Sequence, residues 1–365
     1  MPTFLPGLEL SERYYAELVR PLLDRHFPRL PHAAALIGYG SEVLGFDTAM
    51  SMDHAWAPRL LLFLRPADLA RAPEITACLA RELPTHFLGF PLGVKASETE
   101  PGIFFMDEDT RPGAVAHRVV LTSLDDFVRA ELGWVPSEPL TAADWLTFPS
   151  QKLRILTAGR VYFDNLGELT ALREQLAWYP REVWLYLLAS AWARIGQEEH
   201  LMPRAGFTGD ELGSALIGSR LVRDVMSLAF LLEKQYAPYP KWFGTAFQRL
   251  TCAPELAPQL WQAQIASTWQ AREQALGAAY QRLAQLQNAL GLTEPLPETV
   301  SSFHGRPFQV IHAEVFAEAL QKQIRDPEVR RIAEKGLIGS LDQFSDNTTL
   351  RSDTSWRQAV LALYR

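Results

Sequence analysis

Apolar positions follow two regimes along the chain. Up to about residue 148, short unbroken apolar runs alternate with stretches of helical spacing, whereas beyond it apolar residues recur every three or four positions almost throughout. In the first regime, residues 9–26 place Leu10, Tyr14, Leu18, Leu22 and His26 on one helical face. The runs HAAALIGY at 32–39 and RLLLFL at 59–64 have no helical period, which suits strands buried on both faces. HRVVLTSL at 117–124 is a third candidate strand, and it leads into Ser123-Leu-Asp-Asp126, a capping-box spacing that predicts a helix from about Phe127. Between these elements ASETEPGIFFMDEDTRPG, rich in acids and turn formers, reads as an exposed insertion.

The change of pattern after GWVPSEPLTAADWLTFP sets an expected boundary, with one domain over 1–148 and another over 149–365. The fold class expected is α+β: a mixed sheet with helices, followed by an all-α bundle. Within 171–196 a broad apolar stripe from Leu172 to Ile195 is interrupted at Tyr179-Pro180, which predicts two helices. Thr208-Gly-Asp-Glu211 has capping-box spacing for a helix running through Leu212, Leu216, Ile217, Leu221 and Leu228. One further amphipathic helix is expected to carry Trp261, Ile265, Leu276, Tyr280, Leu283 and Leu290 on its apolar side and to stop at Gly291.

Composition narrows the partners. A chain of 365 residues exceeds one small core, and 48% hydrophobic residues can fill two. No apolar run nears the ~20 residues that span a bilayer, and MPTFLPGLEL lacks the layout of a secretory leader, so the sequence reads as soluble and cytoplasmic, with no membrane partner. Cys78 and Cys252 have no zinc or disulfide spacing. A net charge of −7 argues against duplex DNA as a partner and leaves small molecules as the economical expectation.

The candidate chemistry centres on GYGSEVLGFDTAMSMDHAWAPRLLLFL at 38–64. Gly40 lets backbone approach a phosphate, the Ser41 hydroxyl and nearby N–H groups can donate to its oxygens, and Asp53 stands ahead of the next strand where a carboxylate could hold Mg²⁺. The same residues form an ordinary strand-end turn equally well. In this stretch the chain resembles the nucleotidyltransferase superfamily that includes DNA polymerase β and the kanamycin nucleotidyltransferases, whose signature is Gly-Ser, a short helix, then Asp-x-Asp or Asp-x-Glu on a strand. With LAWYPREVWLYLLASAWARIGQEEHLMPRAG and YAPYPKWFGTAFQRL added, it resembles an uncharacterised bacterial family that joins such a domain to a helical one. Two positions depart from the signature: Ala55 stands where the second carboxylate belongs, and the candidate third strand offers Val119 and Val120. His54, Asp47 and Glu42 could complete a weaker one-metal site.

The resemblance implies transfer of a nucleoside monophosphate from a nucleoside triphosphate to a hydroxyl of a small molecule. Gly40, Ser41, Arg204 and Lys241 would meet the nucleotide, and Asp53 with His54 would hold Mg²⁺. Glu198 or Glu199 would supply the base, since related antibiotic-modifying transferases take a catalytic Glu from outside the metal strand. The alternative is a non-catalytic nucleotide-binding or protein-interaction module on a degenerate version of this fold, which Ala55 favours. Arg220 and Asp224, four apart with Arg223 between them, read either as a buried pair fixing helix packing or as a phosphate clamp. Arg306 and His312 have the Arg-x5-His spacing of helical ribonuclease toxins, though Pro307 would put the two side chains on different faces.

Overall fold

The computed structural model describes residues 3–53, 56–99 and 104–365, with Asp53 described by its backbone alone. The architecture is α+β with a helical C-terminal region. Packing divides the chain into two units, 1–139 with 152–177, and 140–151 with 178–365, so the chain crosses between them three times.

The first unit is built on a four-stranded sheet. Its strands are β1 (His32–Leu36), β2 (Arg59–Leu64), β7 (Arg118–Thr122) and β8 (Arg160–Asp164), in the order β7-β2-β1-β8. The first three lie in the apolar runs that the sequence marks. β1 is buried along its whole length, as an unbroken apolar run requires. β1 pairs antiparallel with β2 and β8, whereas β2 and β7 run parallel, making the sheet mixed. Two short ribbons, β3 (His86–Phe87) with β4 (Phe90–Pro91) and β5 (Val94–Ala96) with β6 (Phe104–Met106), fill the stretch before β7. A helical N-terminus comprising α1 (Gly7–Tyr14), a π-helical turn (Tyr15–Val19) and α2 (Arg20–His26), followed later by α3 (Ala72–Glu82), supplies Leu10, Tyr14, Val19, Ile75 and Leu79 to a core shared with Leu60 and Leu62. Full burial of each such side chain stabilises the unit by about 1.5–3 kcal/mol.

α4 (Leu124–Leu132) begins at Leu124 and not near Phe127, because Ser123 is itself the N-cap, accepting from the Asp126 N–H at 3.1 Å. The chain then forms α5 (Ala142–Thr147), α6 (Ser150–Thr157), β8 and α7 (Glu168–Gln175). The sequence reading places no strand at 160–164. RVYFD becomes one because Gly159 turns the chain in a left-handed conformation (φ +69°) against the Leu36 carbonyl, which sets β8 beside β1.

The second unit is helical. α8 (Arg181–Glu198) is buried on nearly all sides from Val183 to Trp192, the mark of a central helix. Trp192 stacks on Phe316 of α14 (Ala313–Gln321) at 4.3 Å between ring centroids. α9 (Leu201–Phe207), α10 (Glu211–Leu232), α11 (Pro240–Phe247), α12 (Ala253–Ile265), α13 (Trp269–Ala289) and α15 (Pro327–Lys335) complete the bundle with a short α16 (Leu341–Phe344). Two expectations change here. The cap of α10 is Asp210, which accepts from the Gly213 N–H at 2.7 Å, while Thr208 turns back to the Ala205 carbonyl. The single helix expected to carry Trp261 through Leu290 is two, broken before the Thr268 N-cap, and Trp261 and Ile265 lie 65% and 56% exposed. Gly291 does follow α13 in the left-handed conformation. Among the described residues no helix is long and apolar enough to cross a membrane.

Candidate functional site

The glycine-serine turn lies between β1 and β2 in the first unit. Gly40 has a φ of +123°, and a Cβ there would stand 2.4 Å from Arg59 Nη2 and 2.5 Å from Glu42 Oε2. The glycine is required by the side chains that fill its open face. Arg59, the first residue of β2, holds Glu42 through Nε at 2.8 Å and Nη2 at 2.7 Å, and only 7% and 5% of the two side chains are exposed. The Arg59 guanidinium also donates to the Tyr39 carbonyl and lies 4.3 Å from the centroid of the Tyr39 ring.

Arg118 is the first residue of β7 and the register partner of Arg59. Its Nη2 donates to the Tyr39 hydroxyl at 2.9 Å, although the Tyr39 ring itself is 59% exposed. Burial pulls the Arg118 guanidinium below its ordinary pKa, and the neighbouring Arg59 adds to that effect. The two parallel strands therefore open on cations beside the Gly40-Ser41 turn. Asp47 is engaged elsewhere, accepting from the Gly7 N–H at 2.7 Å and from Trp56 Nε1 at 3.4 Å. The Ser41 hydroxyl donates to Ser51 Oγ at 3.5 Å, which brings the turn against the 3-10 segment Ala49–Asp53. His54 and Ala55 lie outside the described residues.

The described side chains do not by themselves assemble a two-magnesium centre. Such a centre needs several carboxylate or carbonyl oxygens facing one point. Glu42 is instead neutralised by buried Arg59 and Asp47 is committed to a backbone N–H and an indole N–H, while the Asp53 side chain and residues 54 and 55 lie outside what the structure describes. What the turn offers is hydroxyl, backbone and arginine donors, a set suited to anions.

The helical-unit candidates are separated by their partners. Glu198, near the end of α8, is ion-paired with Arg220 of α10 at 2.8 Å and with Arg194 at 3.4 Å. Arg220 thus pairs with a neighbouring helix and not with Asp224, which faces Arg194 at 3.4 Å. Glu199 is buried and accepts from the Ile311 N–H at 2.7 Å and the Ala313 N–H at 2.9 Å, so it caps the start of α14. Burial pushes its carboxyl up to about 7, with the two N–H donors pulling it back down. Arg204 is half-buried on α9, and exposed Lys241 in the first turn of α11 lies 5.0 Å from the ring of its neighbour Trp242. His312 has a left-handed φ of +58° and bonds Ser301 at 2.9 Å, while Arg306 is exposed in a loop.

The helical unit also holds a cavity of about 420 Å³ that the sequence reading did not anticipate. Trp178, Tyr236, Phe230 and Phe243 form much of its wall, and Asp224, Asp342 and Asp346 face it with Arg194, Arg223 and Arg351. Its lining is drawn from segments as distant as Ser150 and Arg351, so no local motif announces it. Arg59 and Arg118 did leave a local sign: each opens an apolar strand, in Arg59-Leu-Leu-Leu and Arg118-Val-Val-Leu.

A sequence family described as "Domain of unknown function (DUF4037)" matches residues 145–243. No curated protein matches the chain. Among solved structures, a nucleotidyltransferase-like protein from Exiguobacterium sibiricum 255-15 is similar at 12% identity and a TM-score of 0.35, over 86% of this chain and 89% of that one. A likeness that distant transfers neither residue roles nor activity to this chain.

Proposed function

We propose that this protein binds a nucleoside triphosphate on a degenerate nucleotidyltransferase-like framework and meets its phosphates with arginine and hydroxyl donors, without two-metal transfer. The observation that carries this reading is the pair Arg59 and Arg118 at register-matched strand starts beside Gly40-Ser41, with Ala55 standing where the signature places its second carboxylate. Arg59 is the fixed member, locked by Glu42, and its role is to hold Tyr39 and the turn in place. Arg118 and Ser41 are the groups that would touch phosphate oxygens.

A second reading, transfer of a nucleoside monophosphate to a small-molecule hydroxyl, is supported by the approach of Ser41 to the segment that ends at Asp53. A radiolabel transfer assay with ATP and CTP over a panel of hydroxyl acceptors separates the two. The first reading expects label transfer at background with and without Mg²⁺. Robust Mg²⁺-dependent transfer that Asp53→Ala abolishes would replace it by the second.

A further inference from the structure

We infer that His26, Cys78 and Glu82 form a binding site for one thiophilic divalent cation, Zn²⁺, which joins α2 to α3 and keeps one coordination position open to water. The site shares no residue with the glycine-serine turn, so it stands apart from the nucleotide reading.

The placement follows from the two helices. Cys78 and Glu82 are four positions apart on α3, which puts them on one face a turn apart. His26, the last residue of α2, reaches the same face, and its Nε2 lies 2.8 Å from Glu82 Oε2. One ligand atom from each of the three residues lies within 4.8 Å of the other two. A tetrahedral zinc ion with bonds of about 2.0–2.3 Å spaces its ligand atoms about 3.3–3.6 Å apart. To reach that spacing, the histidine and glutamate must part by about 0.5 Å and the sulfur approach by about 1.3 Å at most. The first two side chains are 30% and 25% exposed and have room to move, so the ion enters from their side while Cys78 stays buried with the core.

An ion pair between His26 and Glu82 would tie the helices together without any sulfur, and the thiol beside it changes the chemistry. Thiolate, imidazole and carboxylate together suit zinc, whereas Mg²⁺ and Ca²⁺ take oxygen ligands. Three protein ligands leave the fourth position of the ion for water. The backbone favours the same charge, because α2 and α3 both end at the site and the last turn of a helix attracts a cation. Arg81 is the opposing charge. It binds Glu82 Oε1 at 2.9 Å, leaving Oε2 beside His26, and its guanidinium is solvated on a side chain 60% exposed. Sequence spacing hides the site, since its histidine and glutamate are 56 residues apart and only one of its ligands is a cysteine.

The test uses the full chain, purified without a histidine tag, stripped of metal with a chelator and titrated with Zn²⁺ or Co²⁺. Calorimetry is expected to show one equivalent of Zn²⁺ bound with Kd below about 10 μM. Co²⁺ should give a thiolate-to-cobalt charge-transfer band in the near ultraviolet with the strong visible bands of a four-coordinate ion, and Zn²⁺ should bleach both. His26→Ala and Glu82→Gln should each weaken Zn²⁺ binding at least about tenfold, since even the outer partners of a metal ligand contribute that much. Zn²⁺ should also raise the melting temperature of the wild type more than that of His26→Ala. No saturable equivalent below about 10 μM, a Co²⁺ spectrum without the charge-transfer band, a band that survives Cys78→Ser, or equal Zn²⁺ affinity in wild type and His26→Ala would each overturn the inference. Wild type and His26→Ala, a change at a partly exposed side chain, decide the matter even if Cys78→Ser fails to fold.

Discussion

Single residues carry the account where a side chain fills space that sequence spacing leaves open. Gly40 is legible as a special position, but its reason is not, because Arg59 reaches it from the start of another strand. Gly40→Ala should cost about 2–3 kcal/mol or more, since the new methyl meets two charged groups inside a left-handed turn; a melting temperature within a degree of wild type would refute the packing described. Glu42→Gln should be at least as damaging, about 3–5 kcal/mol, because it leaves the buried Arg59 without its counter-charge. Replacing both partners, as Glu42→Leu with Arg59→Met, should recover much of that loss in chemical denaturation, and a double variant worse than the sum of the singles would show that the ion pair is not the issue. Asp224 gives a pH signature. Burial raises its carboxyl to about 6, with Arg194 and Arg223 opposing and Glu198 and Asp346 adding to the rise, against roughly 4 for the unfolded chain. The folded state thus binds the proton that the unfolded state has released, so this group's contribution to stability falls as pH rises through that window. The stability of wild type minus Asp224→Asn should drop by about 2–3 kcal/mol between about pH 4 and 7. A difference that is flat or rises would place the carboxyl in a solvated or well-donated setting.

At the scale of elements, what could be read was what is local. The apolar runs at 32–39, 59–64 and 117–124 become β1, β2 and β7, and the break at Tyr179-Pro180 separates α7 from α8 as proline chemistry requires. β8 was hidden because Arg160–Asp164 is short, half-buried and surrounded by helix formers, and because its pairing with β1 joins residues far apart in sequence. The device that makes the pairing possible is Gly159, where a Cβ would lie 2.1 Å from the Leu36 carbonyl oxygen. Gly159→Val should therefore loosen the sheet edge, seen as faster hydrogen exchange in β1 and β8 with α8 unaffected; unchanged protection in both strands would contradict the assigned role. Trp261 and Ile265 show the opposite failure: apolar periodicity placed them inside, but the helix ends at Ile265, and a new one starts after Thr268 with its own face.

For the molecule as a whole, the glycine-serine turn was visible from sequence, and the juxtaposition of Arg59 and Arg118 beside it was not, because that depends on which strands lie side by side. With a net charge of −7 the proposal expects no appreciable binding of duplex DNA at physiological salt, and salt-sensitive duplex binding at sub-micromolar concentration would overturn it. We propose that phosphate is met by Arg118 and Ser41 and not by magnesium. The most direct measurement is calorimetric titration of the wild type and of Arg118→Ala with ATP, once with Mg²⁺ and once with a chelator. The account predicts that wild-type affinity is the same in both conditions and falls by about tenfold or more in Arg118→Ala. ATP binding that appears only with Mg²⁺ and is untouched by Arg118→Ala would contradict it.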